Sequence, residues 1–580
     1  MPTLPLYSPL LILLVTALAC WGGILVPLLR RWVGWAATLG VAVALLGYVA
    51  SDGVGVAAHW FAAPNGDVAL KLMSDSLNQP FALATLILGG LALLGSIGGE
   101  AHGAGFYPFA LLLLTGLLGL YLAADLLLAV LGWGVAASAS WLLVANSGAR
   151  AEAQGRAAGA TLAGLLLLGG VAYLGRLNGG QLDYAALVPA TLVATVPLAL
   201  LLAGTLVGAA QYPLLWVAGG EARPHWASRA LVFGLGLGLP EVYLALRVQQ
   251  IAARSLSLPD WWFTTLAIVG GLTALLGGCF ALRSATAGDA FSALAVAGSG
   301  LAFWAISLNT PGATAAALLL AIGLAAGRVT LAVGLAAGQR VTAIVGGLTL
   351  ALLPPFGGFI GLWLLFNASL LAGNRLGLFL IAGFVLLTLP AAAALVAEAR
   401  GMAVLPTEGE PLQPPARRLP AIAAPVALLG LAAFSLGLSL DASLLEWMVQ
   451  PPLAPLAALA AQSQASFNLA TMGGQWPTLA VALALGVGLL LWLALAIRAR
   501  AVPAPPIEAE GMSALDVLAP FDLYLRPLRW LEPRTWAGWL GQAGSFVEGG
   551  LAHLDQVLEG RYYILVSALL LLVALLVISR

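Results

Sequence analysis

Apolar stretches of membrane-crossing length recur along almost the whole of this 580-residue chain, and no other feature restricts its fold so tightly. A helix crossing about 30 Å of hydrocarbon needs roughly 20 predominantly apolar residues. Runs of this kind fall near residues 8–28, 33–50, 79–98, 106–122, 124–145, 157–175, 187–210, 229–247, 262–281, 290–308, 312–335, 341–372, 376–397, 420–440, 477–497 and 562–579. In lipid each backbone polar group must be satisfied within its own segment, so these sixteen runs are read as helices. Only 8% of residues are charged, where a soluble chain carries roughly 25%. Too few charges remain to clothe a water-facing surface. A cytosolic enzyme, a disordered chain and a disulfide-stapled secreted domain are thereby excluded. The first run lacks a basic start and is followed by Arg30 and Arg31 rather than a small-residue cleavage site, so it is read as a retained span.

The 24 basic and 24 acidic side chains cancel, leaving no global field to attract nucleic acid. With the N-terminus outside, 17 basic residues fall in inner loops and 6 in outer ones, while Arg328 lies within a span. That asymmetry is the positive-inside bias expected of a multi-pass protein of an inner or plasma membrane. Val502 to Pro506 open a mixed stretch carrying Arg526, Arg529, Trp530, Arg534, Trp536 and Trp539. Aromatic and arginine residues together at modest hydrophobicity suit a segment lying in the membrane interface.

The polar inventory closes off much chemistry. Lys71 is the only lysine and follows Leu70, so no Gly-Lys phosphate loop exists. His59, His102, His225 and His553 all fall in loops or the tail, which leaves no paired histidines for intramembrane haem. Cys20 and Cys279 lie in separate apolar runs and read as small core hydrophobes. No catalytic centre, cofactor site or metal site is expected in this chain. Alternating Gly234, Gly236 and Gly238 sit inside an apolar span, where small residues allow close helix approach. Asp125 stands at a span edge, within reach of the interface. Only Glu241 and Arg328 look embedded, and both are candidates for an ion pathway. For Arg328, a structural pairing with Glu241 or with backbone carbonyls is favoured over transport.

Two spans carry proline breaks. Gln211-Tyr212-Pro213 ends the seventh, and Pro354-Pro355-Phe356-Gly357-Gly358 interrupts the twelfth. Proline removes a backbone donor and clashes with the preceding turn. Inside a membrane such breaks survive only where protein or water satisfies the freed groups. The breaks lie five spans apart, and a repeat of five spans returns inverted in the membrane, a pattern of transporter architecture.

These residues resemble the antiporter-like subunits of respiratory complex I, Mrp-type cation/proton antiporters and membrane-bound hydrogenases. FYPFALLLLTGLLGLYLAADLLLAVLGWGVAASASWLLVA (106–145) is similar to their fourth and fifth spans. GAAQYPLLWVAGGEA (208–222) resembles the broken seventh and LALLPPFGGFIGLWLLF (350–366) the broken twelfth. LKLMSDSLNQPF (70–81) resembles the approach to the third. The matches keep their order over about residues 65–400, and the tail resembles that of the longer members. The resemblance implies an all-α polytopic protein of about sixteen spans with two inverted five-helix repeats. It divides into N-terminal helices (1–100), an antiporter-like core (101–400), additional helices (401–500), an interfacial segment (501–561) and a closing anchor helix (562–580).

The departures carry the functional argument. Where the family has a glutamate after Phe-Trp in the fifth span, Gly134 follows Trp133. The lysine of the seventh span is replaced by Gly208, that of the eighth falls at Leu239, that of the eleventh near Thr330, and the basic position of the twelfth near Leu362. In the family these groups are thought to relay protons, and a buried lysine serves because its pKa shifts readily, whereas arginine stays protonated. The chain therefore reads as an antiporter-like scaffold subunit of a larger redox-linked or ion-translocating complex, with lipid and other membrane subunits as partners and the relay stripped out. Two alternatives stay open: a secondary transporter with its own relay around Glu241 and Arg328, and a membrane partner of a cytoplasmic ion- or inorganic-carbon-handling subunit.

Overall fold

In a computed structural model the chain divides into a unit of Met1–Tyr524 and one of Leu525–Arg580. The structure describes residues 5–51, 56–63, 66–97, 103, 105–148, 150–213, 225–253, 258–284, 286–354, 356–402, 418–440 and 448, all in the first unit. Pro355, His102, His553, the expected spans 477–497 and 562–579, and the expected interfacial segment 501–561 lie outside the described residues.

The helices are α1 (Ser8–Leu25), α2 (Pro27–Arg30), α3 (Val33–Val49), α4 (Asn78–Ser96), α5 (Phe106–Leu122), α6 (Leu126–Asn146), α7 (Arg150–Leu177), α8 (Pro189–Leu192) and α9 (Thr195–Gly208). They continue as α10 (Trp226–Gly234), α11 (Leu239–Ala252), α12 (Asp260–Arg283), α13 (Ala287–Ser307), α14 (Pro311–Ala336), α15 (Arg340–Leu350), α16 (Gly357–Leu371), α17 (Arg375–Met402) and α18 (Arg418–Leu440). The first fourteen apolar runs coincide with helices or with pairs of half-helices. Among the described residues, nine helical stretches are long and apolar enough to cross a membrane, one of them made by α10 and α11 together. The architecture is all-α apart from one addition, an antiparallel hairpin of β1 (Val56–Ala63) and β2 (Gly66–Leu72) that precedes α4. His59 and Lys71 sit on its strands.

Local chemistry sets several helix starts. The Asp125 carboxylate accepts the Leu128 N–H at 2.7 Å and caps α6, so Asp125 is a buried cap rather than a side chain reaching for the interface. Thr310 caps α14, with Pro311 in the first turn where its missing donor costs nothing. The most apolar stretch of α14 is buried along its whole length, enclosed by α10, α13, α15 and α16. Helices α1 and α7 instead leave large apolar side chains such as Leu18 and Leu165 exposed, as expected of a lipid-facing rim. Backbones approach closely where glycine meets backbone. A Cβ on Gly346 of α15 would stand 2.3 Å from the Leu331 amide nitrogen of α14. In lipid such close approach supplies the dispersion contacts that hold helices together.

Both proline-marked breaks end their leading half-helix in the same way. After α9, the Ala210 N–H donates to the Val207 carbonyl and the Gln211 N–H to that of Leu206, with Ala210 at φ +52°. After α15, the Leu352 N–H donates to Thr349 and the Leu353 N–H to Leu348, with Leu352 at φ +55°. Each is a Schellman ending built on a non-glycine residue in the left-handed region. At the first break freed backbone groups find side chains: the Tyr212 N–H donates to Thr273 Oγ1 at 2.9 Å, and the Ala209 carbonyl accepts Gln211 Nε2 at 3.1 Å.

A clamp ties the α4 approach to α11. Asp75, in the turn after β2, accepts Arg247 Nη1 at 2.5 Å and Nη2 at 3.0 Å in a two-pronged pair. Arg247 also donates to the Tyr243 hydroxyl, which donates to the Tyr121 carbonyl at 2.9 Å. Lys71 pairs with Asp183 on the same side of the fold. Burial pushes the Asp75 carboxyl up, but the Arg247 hydrogen bonds and charge, with the Asn78 and Leu77 N–H groups, more than reverse this and hold it below its ordinary value.

Three outcomes test this packing. Gly346→Val should lower thermal stability in detergent by about 1–3 kcal/mol, because its added atoms meet the α14 backbone. Ala210→Gly should raise stability or leave it unchanged, by up to about 1–2 kcal/mol, because glycine enters the left-handed region without a Cβ clash. Because the folded Asp75 carboxyl titrates below its unfolded value near 3.9, its stabilisation is complete above about pH 4 and is lost as pH falls through the folded value. Melting temperature measured against pH should thus show an acid limb that Asp75→Asn flattens.

Candidate functional site

Span eight is broken in the middle, at a proline, Pro240, that the sequence reading did not mark as a break. Helix α10 stops at Gly234, Leu235–Gly238 are unwound, and α11 starts at Leu239. Pro240 has no N–H for the carbonyl one turn back, and Gly238 at φ +86° turns the chain as only glycine does freely. The alternating glycines do allow close approach as well: a Cβ on Gly236 would meet Ser140 Oγ at 2.6 Å, and one on Gly234 would meet Val329 Cγ2 at 2.5 Å.

The break exposes polar backbone of both signs, and each sign holds a buried charge. At the positive start of α11, Glu241 Oε2 accepts the Gly238 N–H at 2.7 Å. Its Oε1 accepts the Trp133 indole N–H at 2.8 Å. On the other side Arg328 of α14 donates to the carbonyls of Leu324 at 3.0 Å, Ala295 at 3.3 Å and Leu237 at 3.4 Å. Arg328 is thus held by backbone carbonyls, one of the two structural pairings anticipated for it. No ion pair within 4 Å joins it to Glu241 among the described residues. The two charges flank one turn, since a Cβ on Gly238 would stand 3.8 Å from Arg328 Nη1.

Gly208, at the end of α9, lies against this carboxylate. A Cβ there would meet Trp133 Cζ2 at 2.8 Å and Glu241 Oε1 at 3.2 Å. Gly134, beside Trp133, has open space where its Cβ would stand. Leu239 is buried at the head of α11, and Leu362 is buried in α16. Thr330 is buried two residues beyond Arg328, and its hydroxyl has no hydrogen-bond partner. Pro213 and Pro354 are exposed at the two breaks.

Glu241 and Arg328 are not the only embedded charges. Arg156, assigned by the sequence to a loop, is buried in α7 and lines a cavity of about 30 Å³ together with Trp133, Ser140, Gly208, Gly236 and Glu241. Its guanidinium carbon lies 4.1 Å from the Phe233 ring centroid and its Nε 3.6 Å from Glu152 Oε1. Arg229 of α10 is buried too. It donates to Glu152 Oε2 at 3.0 Å, Ser292 Oγ at 2.6 Å and the Gly288 carbonyl at 2.9 Å. Arg247, placed outside by loop counting, is buried in α11. The signal that could have found these residues is spacing: Glu152 with Arg156 and Tyr243 with Arg247 each stand four apart on one helix face.

Among solved structures the chain is similar to a chain of the Mrp complex from Dietzia sp. DQ12-45-1b, with a TM-score of 0.70 and 20% identity over 99% of this chain and 63% of that one. This chain therefore spans less than two thirds of the Mrp chain. It is also similar to a chain of the membrane-bound sulfane sulfur reductase, an archaeal respiratory membrane complex, with a TM-score of 0.66 and 17% identity over 99% of both chains. The sequence matches no protein-family model, and no curated protein matches it. What the chain shares with these two multi-subunit membrane assemblies, along almost its full length, is the fold.

Proposed function

We propose that this chain is an antiporter-like membrane subunit of a redox-linked or ion-translocating complex, and that it does not pump through a lysine–glutamate relay of its own. The observation that carries the reading is the pairing of that fold with uncharged residues at Gly134, Gly208, Leu239, Thr330 and Leu362. Glycine, leucine and threonine side chains hold no exchangeable charge at neutral pH. At Gly208 the space in which a long side chain would start is taken up by Trp133 and Glu241. The recurrence of one Schellman ending in the seventh and twelfth spans supports two inverted five-helix repeats within 101–400. In this reading 1–100 and 401–500 supply flanking helices, and 501–561 and 562–580 an interfacial segment and an anchor. The protein sits in an inner or plasma membrane with its N-terminus outside, sealing lipid and packing against other membrane subunits.

A second reading is favoured by one observation: the Glu241 carboxylate lies against Gly208, where the family resemblance puts a lysine. Secondary transport would then run through a relay around Glu241 and Arg328. Liposomes holding the purified chain alone test the choice. The expected result is no proton or sodium flux above that of empty vesicles. Flux that disappears in a Glu241→Gln, Arg328→Gln double variant with normal assembly would overturn the scaffold reading in favour of the transporter.

A further inference from the structure

The cavity beside Glu241 is polar on three walls, and its donors are unused. Arg156 Nη2 and Ser140 Oγ are buried without a hydrogen-bond partner, while Arg156 Nε faces Glu152 Oε1 at 3.6 Å. A buried guanidinium or hydroxyl donor left without a partner is destabilising. A cavity of about 30 Å³ exceeds the roughly 10–15 Å³ that one water needs, and a water is held where it finds two to four polar partners. The third wall is the Glu241 carboxylate. Each of its oxygens accepts one bond from the protein, from Trp133 or Gly238, which leaves a further lone pair on each.

We infer that this cavity is a hydrated protonation site, in which one or two waters bridge Arg156 and Ser140 to Glu241 and carry a proton to and from its carboxylate. In the transfer a hydronium ion gives its proton to the free lone pair of a Glu241 oxygen. The products are water and a neutral carboxylic acid, and the reverse step returns the proton. The charged groups facing Glu241 are Arg156 from α7 and Arg328 from α14, and Tyr121 from α5 lies within electrostatic range. Helix α6 presents Trp133, α9 presents Gly208 and α13 presents Ser299 near the Gly238 turn, none of which is charged. Protonation therefore removes the negative charge that faces both guanidinium groups, leaving Arg156 with Glu152 and Arg328 with its backbone carbonyls. The site is a charge switch at the unwound turn. It stands apart from the subunit assignment, because a proton can be bound and released from one side without any being carried across.

Infrared difference spectroscopy of the full chain in nanodiscs, stepped from mildly alkaline to mildly acidic pH, reads the site. A carboxylic-acid C=O band should appear in the wild type, shift on transfer to D2O and be lost in Glu241→Gln. In Ser140→Ala, which removes one water ligand and adds no atom, the band should persist and its deuterium shift should develop several-fold more slowly. The inference is overturned if wild type and Glu241→Gln give the same difference spectra, or if Ser140→Ala exchanges as fast as wild type.

Discussion

The unwound turn between α10 and α11 organises the centre of this protein. A continuous helix would spend its N–H and C=O groups on itself. By breaking, the chain frees the Gly238 N–H for Glu241 and the Leu237 carbonyl for Arg328, two opposite charges on either side of a few backbone atoms. A charge buried at this depth is costly unless polar groups surround it. The break supplies such groups from the backbone itself, and α14, enclosed on all sides, carries the cation into the interior.

Around that turn the buried charges form a connected set. Glu152 accepts from Arg229 and lies near Arg156, and Arg156 shares a cavity with Glu241. At the other end of α11 Arg247 is locked to Asp75. Removing one member of a buried pair strands the other, which is destabilising by several kcal/mol. The cluster is therefore a specification of the fold as well as a store of charge. Such rigidity suits the scaffold role proposed for the chain, and the protonation proposed for Glu241 would add one place where its charge changes.

The fold was largely legible in the sequence. Hydrocarbon thickness turns an apolar run such as 312–335 into a helix whatever surrounds it, and α14 runs from Pro311 to Ala336. The breaks at Pro213 and Pro354 were legible because proline removes a donor. The break before Pro240 was not, because three glycines in an apolar run read equally well as packing residues, and here they serve both purposes. Nor was the β1–β2 hairpin legible, since a chain dominated by helical runs hides a short stretch of alternation.

Of the candidate site, Glu241 and Arg328 stood out because a charge inside an apolar run is visible by itself. Arg156, Arg229 and Arg247 did not, because they sit near run ends, where a linear reading assigns a charged residue to water. What the sequence determined alone was a many-helix membrane protein with a single lysine and few interior charges, because the cost of burying charge in hydrocarbon acts on composition. What only the tertiary structure decided was which of those charges share a cavity. Glu241 meets Trp133, 108 residues earlier in the chain, and Arg156, also far upstream, and such meetings follow from how helices pack rather than from any local preference.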